Sequence, residues 1–368
     1  MTRPIYVTKP FLPPLEEYTE SLRKIWDSGI LTNGGPYHDA FEARLAEHLG
    51  VEHVSLVCNA TIGLILALQA LRIEGEVITT PYTFVATAHS LLWTNNTPVF
   101  VDIDPVTRNL DPRQIEAAIT DRTRAILAVH CYGTPCEVDR IQEIADNYNL
   151  RVIYDAAHAF GVQFDGQSVL RWGDLSVLSF HATKVFNTFE GGAIVCADAK
   201  IKRRIDKLKN FGFVNETVVA ASGINGKMSE MNAAMGLLQL QYAEPVRARR
   251  QAIDARYRQG LVDLDGIEML TVDPRCTPNH AYFPIFVGEG AKASREAIHA
   301  ALDARGIKTR RYFYPIIPDF QIYKRFAPAS ESPLPVARRT AAEVLCLPIY
   351  SELASSDQDA IIAAVREA

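Results

Sequence analysis

The strongest constraint on this chain is an alternation that runs from about residue 38 to residue 198. Short apolar, β-rich runs recur at Val54–Asn59, Glu76–Thr80, Pro98–Ile103, Ala125–His130, Val152–Asp155, Leu175–Phe180 and Ala193–Cys196. Helical patterns lie between them, at Ile62–Leu71, Phe84–Thr94, Pro112–Ile119 and Val138–Tyr148. Strands that are apolar on both faces and spaced by helices predict an α/β fold, with a mostly parallel seven-stranded sheet covered on both sides. From Met228 to about Leu261 the pattern is helical, with Pro245 as its main breaker. Beyond it come a strand-like run at Tyr282–Val287 and helices near Ser294–Ala304 and Ser356–Arg366, which predict a smaller α+β domain. The expected division is a large domain over 1–245 and a small C-terminal domain over 246–368.

In open α/β sheets a ligand site forms beyond the carboxyl ends of the strands. Three chemistry-bearing segments fall at such ends. One is Ser179-Phe180-His181-Ala182-Thr183-Lys184, followed by Glu190-Gly191-Gly192 and a new strand. Another is Asp155-Ala156-Ala157-His158-Ala159, closing the run Val152-Ile153-Tyr154. The third is Asn59-Ala60-Thr61, opening the apolar helix Ile62-Gly63-Leu64-Ile65-Leu66. A lysine amine can form a Schiff base with an aldehyde cofactor, and a carboxylate can keep a pyridinium nitrogen protonated. Lys184 and Asp155 therefore read as the two ends of a pyridoxal phosphate site. A solvated loop lysine and a helix-capping aspartate are the plainer readings of each residue alone.

The neighbours fit the same site. A helix N-terminus at Ala60 and Thr61 would attract a phosphate, although the turn would also serve as a plain cap. Ser179 supplies a further hydroxyl. Phe84, at a strand-to-helix junction, can stack on a pyridine ring or simply join the core. His158, three residues after Asp155, can return to the ring face or the phenolic oxygen, or be a satisfied core histidine.

Bulk properties narrow the class. With 368 residues, one large domain plus a smaller one is the natural arrangement. Apolar content of 48% and charged content of 22% suit a soluble globular enzyme. A net charge of −5 argues against nucleic acid as a partner. No run approaches the ~18 apolar residues of a membrane span, and Met1–Pro10 lacks the apolar core of a signal peptide. Six cysteines are scattered without a CxxC pair, and the Cys131–Cys136 spacing fits no common metal site. No metal is expected, and reduced thiols in a cytoplasmic protein are the natural reading.

These residues resemble the DegT/DnrJ/EryC1/StrS sugar aminotransferases, a family of fold-type I PLP-dependent enzymes. The resemblance extends from Leu31-Thr32-Asn33-Gly34-Gly35-Pro36 to the C-terminal domain. Its most specific parts are the Asp155–Ala159 and Ser179–Lys184 segments and Gly223-Ile224-Asn225-Gly226-Lys227-Met228-Ser229-Glu230. It implies that Lys184 and Asp155 are catalytic, and that Ala60, Thr61 and Ser179 hold the cofactor phosphate. It also implies that Phe84 stacks on the ring, and that His158 stands where glutamine is often found. Asn225 would reach the cofactor phosphate of a neighbouring subunit, so a homodimer with shared active sites is implied. Lys227 is a candidate for the substrate diphosphate, or a solvated lysine. Tyr312 and Tyr314, in Arg311-Tyr312-Phe313-Tyr314-Pro315, are candidates for the sugar pocket or for interface packing.

By the same resemblance, L-glutamate donates the amino group, the cofactor passes through its pyridoxamine 5′-phosphate form, and a nucleotide-linked 4-keto-6-deoxyhexose accepts at C4. The nucleotide and the downstream glycan stay open. A 3-aminotransferase acting on a 3-keto sugar is an alternative. A sugar 3-dehydratase of the family would carry histidine in place of Lys184. A non-catalytic sugar-nucleotide-binding regulator would lack the lysine or the aspartate. A nicotinamide-dependent oxidoreductase would need a Gly-x-Gly-x-x-Gly turn, which Asn59-Ala60-Thr61-Ile62-Gly63 does not supply.

Overall fold

A computed structural model describes residues 4–328 and 333–368. Met1, Thr2 and Arg3, the start of the segment read against a signal peptide, lie outside the described residues. Two helices come first, α1 (Leu15–Ser28) and α2 (Pro36–Leu49). The alternation then follows as β1 (His53–Val57), α3 (Ala60–Ala70), β2 (Glu76–Thr79), α4 (Val85–Trp93), β3 (Thr97–Phe100), β4 (Thr123–Val129), α5 (Val138–Tyr148) and β5 (Arg151–Asp155). The short strands β6 (Gln163–Phe164) and β7 (Gln167–Ser168) form a hairpin before β8 (Leu175–Ser179) and β9 (Gly192–Cys196). After α6 (Ala199–Leu208) come a second hairpin, β10 (Phe213–Asn215) with β11 (Val218–Val219), and the long α7 (Glu230–Leu261). The remainder holds β12 (Ile267–Met269), β13 (Cys276–Thr277), β14 (Phe283–Val287), α8 (Arg295–Ala304), α9 (Pro335–Glu343), β15 (Val344–Leu347) and α10 (Ser355–Glu367).

All seven sequence-derived strands of the first half join one sheet, in the order β1-β9-β8-β5-β4-β2-β3. Strands β8, β5, β4, β2 and β3 run parallel, and β9 is antiparallel to both of its neighbours. Successive residues of each strand serve opposite faces. Ile126, Ala128, Val152 and Tyr154 enter one core with α2 and α5, while Ala125, Leu127 and Ile153 enter the other with α3 and α6. Helix α3 is apolar along most of its length because it is largely buried, with Gly63, Leu64, Leu66, Ala67, Leu68 and Ala70 out of solvent. A Cβ on its Gly63 would stand 2.8 Å from Val177 Cγ1, so helix and sheet meet there at glycine distance.

The structure departs from the sequence reading in its connections and its flanking helices. The segment read as a helix over Pro112–Ile119 is a pair of 3-10 turns, Pro112–Gln114 and Glu116–Ala118. Asp111 caps the first by accepting from Arg113 N–H, and the bonds run from i+3 to i, as from Ile115 N to Pro112 O. Helices α1, α2, α6 and α9 carry no pattern that the sequence reading marks as a helix. Glu230, 1% exposed, fixes α2 by accepting from the N–H groups of Tyr37 (2.9 Å) and His38 (2.8 Å) at its N-terminus.

Pro245 does not divide α7, which runs on for 32 residues. Ala233, near its start, packs into the core of the large sheet. Ile253 and Tyr257, further along, pack with α8, α10 and the three-stranded sheet β12-β14-β15.

Candidate active site

The carboxyl ends of β5 and β8 and the N-termini of α3 and α4 surround a cavity of about 330 Å³. Asn59, Ala60, Thr61, Phe84, Asp155, His158, Ser179, Lys184 and Tyr312 all line it. Nearly the whole sequence-derived cofactor set is therefore brought together, across more than a hundred residues of chain.

Asp155 is the last residue of β5 and is buried. Its Oδ2 accepts from the Thr87 hydroxyl at 2.7 Å, and its Oδ1 accepts from Ala157 N–H at 3.1 Å. Burial pushes its pKa up, and these two donors and the Lys184 charge push it back. Lys184 sits in the turn after β8, where its N–H donates to His181 O at 2.9 Å. Burial pushes its amine down to about 8, against the opposing pull of Asp155. Among the described residues neither group sits in an ion pair. They sense each other only through the field across the cavity.

Helix α3 supplies the anion pole. Asn59 Oδ1 accepts from Ile62 N–H at 2.9 Å and Asn59 O from Gly63 N–H at 3.1 Å. The N–H groups of Ala60 and Thr61, in the first turn, have no intrahelical acceptor within reach. The Glu190-Gly191-Gly192 signature now has a steric cause. A Cβ on Gly192 would lie 2.9 Å from Ala60 N and 2.7 Å from Leu178 O, and one on Gly191 would lie 2.2 Å from Thr188 Oγ1. Only bare backbone lets β9 pass so close to the start of α3.

His158 is buried, and its Nδ1 accepts from Tyr132 N–H at 3.2 Å. Its ring is parallel to Phe313, at 2° and 5.9 Å. Burial, and then the Lys184 charge, hold its pKa well below the ordinary value. The imidazole is therefore neutral with its proton on Nε2, a single donor at the cavity wall. Phe84 also lines the cavity yet is 60% exposed, so it belongs to the site rather than to the core.

Three sequence candidates lie elsewhere. Asn225 bridges to Asn210 beside α6. Lys227 donates to Asn210 Oδ1 at 2.8 Å and stands over the Phe211 ring. Tyr314 lines an adjoining cleft, also about 330 Å³, that shares Thr83, Phe84, Tyr312 and Phe313 with the cavity. The guanidinium groups of Arg295 and Arg311 flank its ring there at 4.9 and 5.4 Å.

Two site residues were missed. Thr87 holds Asp155 from the first turn of α4, where nothing local marks it. Tyr282, immediately before β14, accepts from Lys184 Nζ at 3.4 Å and is 98 residues away in sequence.

The residues present fit pyridoxal phosphate. An enclosed amine faces a buried carboxylate that has hydrogen bonds but no cation. Free helix N–H groups and a serine hydroxyl offer a phosphate cradle, and an exposed phenylalanine edges the space between.

The DegT/DnrJ/EryC1/StrS aminotransferase family matches residues 15–366. The chain is 54% identical to a dTDP-4-amino-4,6-dideoxy-D-glucose transaminase of Shigella dysenteriae, over 100% of both chains. It is 53% identical to the enzyme of that name from Escherichia coli, over 95% of this chain and 94% of that one. Among solved structures it is similar to DesI in the presence of its TDP-sugar product. The TM-score is 0.94 and the identity 41%, covering 100% of this chain and 93% of that one.

Proposed function

Because this chain belongs to the DegT/DnrJ/EryC1/StrS aminotransferase family, we propose that it moves the amino group of L-glutamate to C4 of dTDP-4-keto-6-deoxy-D-glucose, with pyridoxal phosphate as cofactor. The products are 2-oxoglutarate and dTDP-4-amino-4,6-dideoxy-D-glucose. The chemistry rests on one observation above others: Lys184 and Asp155 face a single cavity with no ion pair between them. The choice of acceptor rests on the full-length identity to transaminases of that name.

Pyridoxal phosphate, when bound, supplies an aldehyde for the amino group and a ring that draws off the electron pair left when a proton departs the substrate carbon. The protein supplies everything else. Asp155, steadied by Thr87 and Ala157 N–H, would hold the proton on the ring nitrogen. The N-terminus of α3 at Ala60 and Thr61, with Ser179, would bind the phosphate. Phe84 would cover one face of the ring, and His158 Nε2–H would donate to it. Lys184, whose amine burial draws down to about 8, gives up its own proton more readily than an ordinary lysine; it would take a proton from the donor's α-carbon and deliver it across the nitrogen to the carbon that the cofactor's aldehyde supplies. It runs the same transfer in reverse once the keto sugar has entered.

The active unit is proposed to be a homodimer in the cytoplasm. Asn225 and Lys227 do not line their own cavity, and Phe211, Phe213, Val218 and Val219 around them are exposed. A partner's site would use both residues and cover those side chains. The division into domains at residues 245 and 246 is proposed to fall within α7, which the two cores share.

The test is a product assay. Enzyme, pyridoxal phosphate, L-glutamate and dTDP-4-keto-6-deoxy-D-glucose are incubated, and the amine is located by NMR. An equatorial amine at C4 is expected. An amine at C3, or no product from this acceptor while glutamate still yields 2-oxoglutarate, would overturn the assignment of acceptor.

A further inference from the structure

Tyr282 reaches the reacting amine from outside the sheet, on a segment held from two sides. Asn279, 2% exposed, donates through Nδ2 to the carbonyls of His158 (2.8 Å) and Phe160 (2.9 Å), and its Oδ1 accepts from Ala281 N–H at 3.0 Å. From the opposite side Arg250 of α7, 5% exposed, donates through Nε to His280 O (3.0 Å) and through Nη2 to Ala281 O (2.7 Å). Among the described residues Arg250 has no carboxylate partner. A guanidinium buried without a counter-ion is costly, and burial pulls this one down to about 10. Two of its donors go to the two residues that lead into Tyr282.

The ring of Tyr282 is then boxed in. It meets His158 at 4.8 Å and 61°, Tyr132 at 5.8 Å and 61°, and Tyr312 at 5.8 Å and 86°. Burial drives its phenol well above the ordinary value, so it stays a neutral hydroxyl. Its oxygen accepts an N–H of Lys184 at 3.4 Å.

We propose that Tyr282 is a further catalytic residue, whose phenolic oxygen anchors one N–H of Lys184 so that the amine lone pair faces the cavity, and that Arg250 is the positioning residue holding it there. A free lysine amine rotates about its last C–N bond and points its lone pair anywhere. Anchoring one N–H removes that freedom, and orientation of this kind is where enzymes gain much of their rate. When the donor's C–H bond breaks, its proton forms the third N–H of Lys184. The ammonium would keep its bond to Tyr282 and pass a proton to the carbon that the cofactor's aldehyde supplies, which returns Lys184 to the neutral amine.

The proposal rests on the reading of Lys184 given above, and the test separates the two. Lys184 faces Asp155 from β5, His158 from the turn beyond it, His181 and Glu190 from the β8–β9 connection, and Tyr282 and Tyr312 from the C-terminal half. Only Tyr282 among them accepts from its amine. The experiment compares wild type, Y282F, R250K and the double variant, each loaded with pyridoxal phosphate. Borohydride reduction followed by peptide mass analysis asks whether the cofactor is fixed to Lys184. Single-turnover reaction with glutamate across pH gives a rate and a midpoint.

In Y282F the cofactor is still fixed at Lys184, and the rate falls by about tenfold to a hundredfold. The midpoint moves down, because the ammonium has lost an acceptor. R250K moves both in the same direction, and adds nothing in the Y282F background. Wild-type rate and midpoint in Y282F would overturn the role of Tyr282 alone. Equal effects of R250K in both backgrounds would overturn that of Arg250. Failure of wild type to fix the cofactor at Lys184 would overturn the reading of the site and this inference with it. Should R250K fail to fold, the Y282F result still decides the role of Tyr282.

Discussion

Thr87 Oγ1 donates to Asp155 Oδ2 at 2.7 Å, so the carboxylate at the end of β5 is held by the first turns of α4, 68 residues away. The same hydroxyl lies 3.0 Å from Thr83 Oγ1. Burial pushes the Asp155 pKa up, and the Thr87 bond, together with Ala157 N–H and the Lys184 charge, opposes that rise.

Replacing Thr87 by valine keeps the shape and removes the donor. A hydrogen bond to a charged group contributes about 1.5–3 kcal/mol, so kcat/KM should fall roughly tenfold to a hundredfold. The Thr87 bond lowers the Asp155 pKa, so its loss raises it, and activity should fail at a higher pH on the acid side. An unchanged acid limb would show that Asp155 does not depend on Thr87.

Lys184→Ala and Lys184→Arg should abolish turnover. General acid–base catalysis by one group contributes roughly 10²–10⁴, and Lys184 is also the residue that would hold the cofactor. Near-normal product formation by either variant with stoichiometric enzyme would remove Lys184 from the mechanism.

Lys184 also makes the cofactor-free protein sensitive to pH. Its amine titrates at about 8 when folded and at 10.5 as an ordinary lysine. Between those values the unfolded chain binds more protons, so this group adds stability as pH rises through that window. Below it the folded protein carries a buried charge at a cost. In the absence of cofactor, Lys184→Met should melt above wild type at pH 7, and the difference should shrink as pH rises through 8 towards 10.5. A difference that stayed constant in calorimetry would place the Lys184 amine in water.

Gly192→Ala puts a Cβ 2.9 Å from Ala60 N. The start of α3 must move, and its N–H groups with it. Overpacking of this sort costs about 1–3 kcal/mol, and affinity for pyridoxal phosphate, followed by cofactor fluorescence or absorbance, should weaken by roughly tenfold or more. Full affinity at wild-type stability would show that the phosphate does not use this helix end.

The alternation of apolar runs and helices determined the seven-stranded sheet, because strands buried on both faces must be apolar throughout and their connections must be helical to cover them. Lys184, Asp155, Ser179, Ala60 and Thr61 were legible for the same reason: each stands at a strand end or helix start that local pattern marks, and a parallel sheet gathers such ends at one edge. Tertiary structure alone decided the rest. Thr87 and Tyr282 earn their places through contacts 68 and 98 residues distant, and nothing in their own neighbourhoods distinguishes them. The 3-10 turns after Asp111 replaced an expected helix, their bonds running from i+3 to i as from Ile115 N to Pro112 O. Asn225 and Lys227 illustrate the limit from the other side, since their motif is plain in the sequence while their position, away from the cavity of their own chain, depends on how the segment before α7 crosses the outside of α3.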